Sequence, residues 1–277
     1  MTDGPNHRNW PGWFTLALMA LSGLVLLLIV APLVGLFLKS TPAQWFQVAG
    51  EGEVRSSIWL TLWVSMAGTL VFGLGGIPLA YLLARREFPL KRLVTGIIDL
   101  PIVIPHSAAG IALLGVIAGN SALGRAVAAF GRRVVGETGW TLVGTPVAIM
   151  LAMSFVSIPF LVNAARDGFL SVPRRLERTA MNLGASPART FFTISLPMAW
   201  RPILSGLILM WARGLSEFGA VIVVAYHPMI TPVMIYQRFT DFGLKYARPV
   251  AALFILVCLA IFTVLRLLAG GKHYAQD

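Results

Sequence analysis

Six apolar stretches, each long enough to cross a bilayer, occupy most of this chain. They cover 13–38, 56–84, 97–118, 142–165, 203–226 and 250–269. A helix needs roughly 20 apolar residues to span about 30 Å of hydrocarbon. Lipid offers no partner to a free N–H or C=O, so such spans must be helices. The composition agrees: 57% of residues are hydrophobic and only 12% charged, against about 25% charged in soluble domains. The expected fold class is therefore an all-α polytopic membrane protein with six transmembrane helices. Residues 13–270 would form one membrane domain between short tails at 1–12 and 271–277. The first stretch is too long for a signal-peptide core and no small-x-small cleavage site follows it, so it reads as a retained helix.

The formal charge of +11 raises the question of nucleic acid. The basic residues instead cluster in short loops beside the apolar stretches, the pattern that sets membrane topology. With the N-terminus inside, 13 Lys and Arg fall in inside segments and 8 in outside loops. Both ends are thus expected in the cytoplasm, the bilayer is the partner, and nucleic acid is not. The single Cys258 lies in an apolar stretch and has no partner within the chain. There is no CxxC, no HExxH, and the four histidines are scattered, so no metal site and no catalytic set is expected. The outside loop at 119–141 places Leu123, Val127 and Val134 at helical spacing. It reads as a short interfacial helix or re-entrant piece, whose three arginines either form a solvated basic rim or attract an acidic partner or an anion.

The segment 166–201 is polar, holds six arginines, and lies between the fourth and fifth apolar stretches. It reads as two short helices in tandem. Ser171 and Pro173 stand where the first would start, and Leu176, Ala180 and Leu183 repeat at i, i+4 and i+7. Gly184 stands where a left-handed cap suits only glycine well. Ser186 and Pro187 restart the pattern as N-cap and first helical residue. Phe191 and Ile194 supply the next apolar face before Leu196-Pro197. A structured hairpin on the basic side of a membrane is built to touch something.

Ionisable groups inside a span are costly and point to function. One cluster is Asp99-Leu-Pro101-Ile-Val-Ile-Pro105-His106-Ser107. Two prolines remove two backbone donors, so this helix must bend, start late or break. Asp99 is either an N-cap for a helix opening at Pro101 or a pathway group. His106 either satisfies the broken helix or lines a pathway. The second cluster runs from Arg213 through Gly214, Ser216 and Glu217 to Gly219. Arg213 and Glu217 are four apart, on one helix face. Either they form an ion pair that pins packing, with Gly214 and Gly219 allowing close approach, or this face lines the pathway with Ser216 as a hydroxyl donor.

The run from Glu177 to Pro197 resembles the "EAA" loop of permeases of binding-protein-dependent ABC importers. Ala180, Gly184, Ile194, Leu196 and Pro197 match that pattern. Arg178 stands at the pattern's glutamate, Thr179 at its first alanine, and Glu177 lies one residue early. The resemblance extends from about Thr61 to the last span. The runs at 99–106, 213–221, 226–232 and 247–252 look like the molybdate/tungstate subfamily, and sulfate permeases share the Glu-Phe-Gly-Ala element at 217–220.

The resemblance implies that two copies form a homodimeric pore in the cytoplasmic (inner) membrane. Cytoplasmic ABC ATPase subunits would grip the hairpins through Glu177, Arg178, Ala180, Leu183, Gly184, Ala185, Ser186, Pro187 and Pro197. An extracytoplasmic binding protein would deliver the oxyanion. Asp99, Pro101, Pro105, His106, Ser107, Arg213, Ser216 and Glu217 are the pathway candidates. No Gly-x-x-x-x-Gly-Lys-Ser/Thr loop is present, so the motor is expected in another subunit and no cofactor in this one. The alternatives are a sulfate/thiosulfate-type permease and an ion-gradient carrier. A carrier should show an internal repeat and spans interrupted at matched positions. Only one interrupted span is legible.

Overall fold

The computed structural model describes residues 12–135 and 140–269, and the tails expected at 1–12 and 271–277 fall almost wholly outside them. Every regular element among the described residues is helical. Helix α1 (Trp13–Leu38) matches the first apolar stretch residue for residue and buries none of its side chains. A short α2 (Pro42–Gly50) follows, opened by a capping box in which Thr41 and Gln44 exchange hydrogen bonds. Then comes α3 (Gly52–Arg85), 34 residues long. Its inward face is small and hydroxylic: Ser57, Thr61, Ser65, Gly68, Thr69, Gly73, Gly76 and Ala80 are all buried. Small residues are what membrane helices use to approach closely, because lipid supplies no hydrophobic drive between them.

The third apolar stretch is two helices, α4 (Lys91–Val103) and α5 (His106–Ile117), bent by 116°. Pro105 caps α5, and the chain turns at Ile104. Asp99 is therefore inside α4 rather than capping a helix at Pro101; that helix already began at Lys91. The basic loop expected outside forms α6 (Ala122–Val135) as its spacing suggested, although Leu123 stays exposed. The side chain of Val134 lies outside the described set.

Next, α7 (Pro146–Ser171) starts at a Thr145 cap and overruns the expected end at residue 165 by six residues. The hairpin thus begins later than 166: Ser171 ends α7, and Pro173 caps α8 (Arg174–Asn182). After the turn, α9 (Pro187–Thr190), a π-turn (Phe191–Ser195) and α10 (Leu196–Met198) run on without a gap. Helix α11 (Trp200–Leu215) leaves at 72° to that segment.

The fifth stretch is a second interrupted span, missed in the sequence. Helix α11 stops at Leu215, and α12 (Gly219–Val224) begins after Ser216–Phe218. The chain closes with α13 (Thr231–Phe242) and α14 (Leu244–Ala269).

Helix α7 is the axis. Helices α3 and α11 pack along it, and α4, α5, α10 and α12 also touch it. One buried cluster gathers α5, α7 and α12 around Ile149, Met153 and Val221. Another joins the far end of α7 to α3 and α11 through Leu83, Leu161, Phe169 and Ile203. Four helices are long and apolar enough to cross a membrane alone, and each bent pair meets the same test jointly.

Candidate translocation and coupling sites

The two broken spans meet. His106 opens α5 and Gly219 opens α12. A Cβ on Gly219 would stand 2.7 Å from His106 Cβ, so only glycine admits this contact. Gly214 similarly backs onto the side chain of Ser65 on α3. The close approach expected of both glycines is therefore real.

At this junction Glu217 is fully buried. Its Oε1 accepts the Ala220 N–H at 2.8 Å, satisfying a free donor in the first turn of α12. Its Oε2 lies 2.8 Å from His106 Nδ1 and 3.2 Å from an Arg213 Nη, close enough for ion pairing with the guanidinium but without hydrogen-bond geometry to either among the described residues. That Arg213 nitrogen is 2.9 Å from both ring nitrogens of His106, and its other Nη donates to Ser216 Oγ at 3.2 Å. Arg213 and Glu217 thus pair across a helix end, not along a regular helix face. The helix stops because Gly214, Ser216 and the buried carboxylate offer the backbone other partners.

The outcome for the sequence candidates is uneven. His106, Arg213, Ser216 and Glu217 are drawn together, and Ser107 adjoins them through Gly219. Arg213 and His106 keep side-chain exposures of 23% and 36%, while Glu217 has none. A guanidinium and an imidazole thus remain partly exposed in front of a buried carboxylate. Pro101 is buried in α4 and Pro105 makes the corner. Asp99 takes its hydrogen bond from Asn163 Nδ2 of α7, at 2.7 Å. No described contact ties it to the His106–Glu217 group. Asn163 carried no signal in the sequence, because its partner lies 64 residues away.

At the other end of α7, the hairpin has the expected shape with a different inward face. Leu176 and Leu183 are exposed, Leu183 by 84%. Glu177 points in instead, 6% exposed. Its Oε1 accepts from Arg85 Nε at 2.9 Å and from Ser195 Oγ at 2.6 Å. Arg85 also donates to Val172 O at 3.0 Å. A carboxylate with these donors belongs inside more than a leucine does, and it turns α8 accordingly. The π-turn sets Ser195 for this contact, and Phe191 packs edge-on to Tyr81 with ring centres 4.8 Å apart.

Gly184 has φ +88°. Ala185 N–H donates to Ala180 O and Gly184 N–H to Met181 O, both at 3.0 Å, the paired bonds of a Schellman turn. Ser186 Oγ then accepts from Arg189 N–H at 3.2 Å to cap α9, with Pro187 first in the helix. Arg178 and Pro197 are exposed. Arg85 was legible only as one of the basic charges.

The family model for the inner membrane component of binding-protein-dependent transport systems matches residues 76–270. The chain belongs to that family. The molybdate/tungstate transport system permease protein of Thermococcus kodakarensis is 41% identical over 263 residues, covering 94% of this chain and 98% of that one. Its counterpart in Methanocaldococcus jannaschii is 39% identical over 254 residues, covering 92% and 96%. The sulfate transport system permease protein of a Synechocystis species is more distant, at 29% over 261 residues, 91% and 88%. Among solved structures, a bacterial ABC transporter that imports alginate superposes with a TM-score of 0.68 at 16% identity, covering 93% of this chain and 95% of that one. That likeness speaks for the fold. The second interrupted span would by itself have favoured a gradient-driven carrier, and membership of this family sets the carrier aside.

Proposed function

We propose that the chain is the membrane-spanning permease subunit of an ATP-driven importer of oxyanions, with molybdate and tungstate taken in preference to sulfate. In this reading there are six crossings, counting α4 with α5 and the segment 187–198 with α11 once each; the even number keeps both termini on one side, taken with the hairpin as the cytoplasmic side. The excess of arginine and lysine in the corresponding segments supports this orientation. Two copies enclose the pathway. ATPase subunits grip the hairpins, and a binding protein delivers the anion from outside. The binding protein is in keeping with an alginate ABC transporter of similar fold, solved in complex with a pentasaccharide-bound periplasmic protein.

The observation that carries the reading is the Arg213–His106 pair held by the buried Glu217. A lone arginine at membrane depth would hold a dianion tightly and release it slowly. Here the carboxylate offsets one cationic charge, leaving donors from Arg213, Ser216 and His106 without a deep electrostatic trap. Such a site passes an anion onward, which suits a pathway fed by a separate high-affinity receptor. The preference for molybdate and tungstate rests on the names of the most similar relatives.

The test is uptake of radiolabelled molybdate into vesicles holding the transporter, its ATPase and its binding protein. Unlabelled tungstate should compete fully and sulfate weakly. Strong competition by sulfate with none by tungstate would move the assignment to the sulfate class.

A further inference from the structure

A second basic site lies at the root of the hairpin, away from the pathway. A cavity of about 330 Å³ opens between the end of α3, α8 and the start of α9. Its walls include Arg85, Arg86, Arg174, Arg178, Glu177 and Thr190. Arg85 is already neutralised by Glu177, which is also tied to Ser195. Three guanidiniums remain. Among the described residues Arg174 donates a hydrogen bond to the Ala84 carbonyl, at 3.2 Å, and to no other group. Arg86 and Arg178 are exposed and make no ion pair among the described residues. The nearby carboxylate Glu87 is bonded by Lys91 at 2.8 Å; that hydrogen bond and the lysine's charge, with a smaller part from the charge of Arg174, hold its carboxyl below the usual range.

Thr190 supplies an independent sign of a ligand. It is 2% exposed, and its hydroxyl oxygen has no hydrogen-bond partner among the described residues. A buried threonine in a helix ordinarily bonds the carbonyl one turn back, as Thr61 and Thr69 do in this chain. An unmet hydroxyl on a wall shared with three guanidiniums suits an occupant that brings acceptor oxygens and negative charge.

We propose that this cavity binds a tetrahedral oxyanion group, held by Arg86, Arg174 and Arg178 and by the Thr190 hydroxyl. Guanidinium forks match such a group with paired N–H donors. The group has two sources: the phosphate of an anionic lipid of the adjoining leaflet, or a free phosphate or molybdate ion. Either would tie the end of α3 to α8 and α9, and so stiffen the hairpin from within. The inference shares the cytoplasmic placement of the hairpin with the proposed function but needs no ATPase. It is tested on the full chain alone in nanodiscs, so its failure and a failure of coupled uptake remain distinguishable.

Two arms separate the sources. In one, inorganic phosphate and molybdate are titrated calorimetrically into the chain in phosphatidylcholine discs. In the other, native mass spectrometry counts phosphatidylglycerol retained from mixed discs. One arm should report a single saturable ligand per chain. Arg86→Ala should weaken it about tenfold, the loss expected for one charge-assisted hydrogen bond. Thr190→Val should weaken it as well, and Thr190→Ser should restore it. Arg86 is exposed, so its variant keeps the test alive if Thr190→Val folds poorly. Retention unchanged by every substitution overturns the proposal. So does an empty cavity in both arms, or an occupant that appears only as an acidic segment of an added ATPase.

Discussion

Glu217 stands where the broken spans meet and Glu177 at the root of the hairpin, both nearly or wholly buried, and each is held by an arginine. Removing one partner of a buried ion pair costs about 3–5 kcal/mol, because a bare charge is left behind. Arg213→Ala should therefore lower the thermal midpoint and abolish most uptake. Adding Glu217→Gln should recover much of the midpoint, since an amide oxygen still accepts the Ala220 N–H, but not the uptake. Full recovery of uptake in the double variant would show Arg213 to be a packing residue. At the other end, Arg85→Ala should free α8 from α3 and speed tryptic cleavage at Arg174, Arg175 and Arg178. Glu177→Gln, which keeps an acceptor for Arg85 and Ser195, should speed it less. The sequence marked Arg213 and Glu217 because charge inside an apolar stretch is conspicuous on its own. It could not mark Arg85, Ser195 or Asn163, whose meaning comes from partners 18 to 92 residues away.

Helix ends were the most readable elements. Gly184, Ser186 and Pro187 do what local chemistry demands, since caps and tight turns involve neighbours only. A Cβ at Gly184 would touch nothing within 4 Å, so substitution there strains the backbone alone. A β-branched residue held at positive φ costs roughly 1–3 kcal/mol. Gly184→Val should therefore fold and insert, yet lose ATPase co-purification and coupled uptake. Gly184→Asn should retain more of both, because asparagine visits that conformation readily. Equal behaviour of the two variants would remove the turn from the coupling argument. The α4–α5 corner was announced by Pro101 and Pro105. The break at Ser216–Phe218 was not, because it contains no proline and interrupts an otherwise apolar run. It exists because Glu217 finds Ala220, His106 and Arg213, which is a tertiary event. The inward turn of Glu177 was hidden for the same reason: the spacing of Leu176, Ala180 and Leu183 described a face correctly but could not say which face would be covered.

For the whole molecule, fold class followed from hydropathy, while the number of chains in the assembly did not. Helix α1 buries nothing within this chain, and Leu183 stands free at the hairpin tip. Both suit surfaces completed by other chains or by lipid. Light scattering corrected for detergent should give two permease chains per particle when the ATPase is present; a single chain would remove the homodimeric pathway. Helix α7 adds a mechanical point. It runs as one continuous helix of 26 residues through the buried Pro159, about 39 Å long at 1.5 Å per residue if straight. One end packs against α5 and α12 beside the Glu217 junction, and the other delivers the chain into the hairpin. Pivoted at the hairpin, a rod of that length tilted by about 10° carries its far tip about 7 Å. A small rotation imposed by the motor would then be geared up to more than the width of an unhydrated ion at the junction.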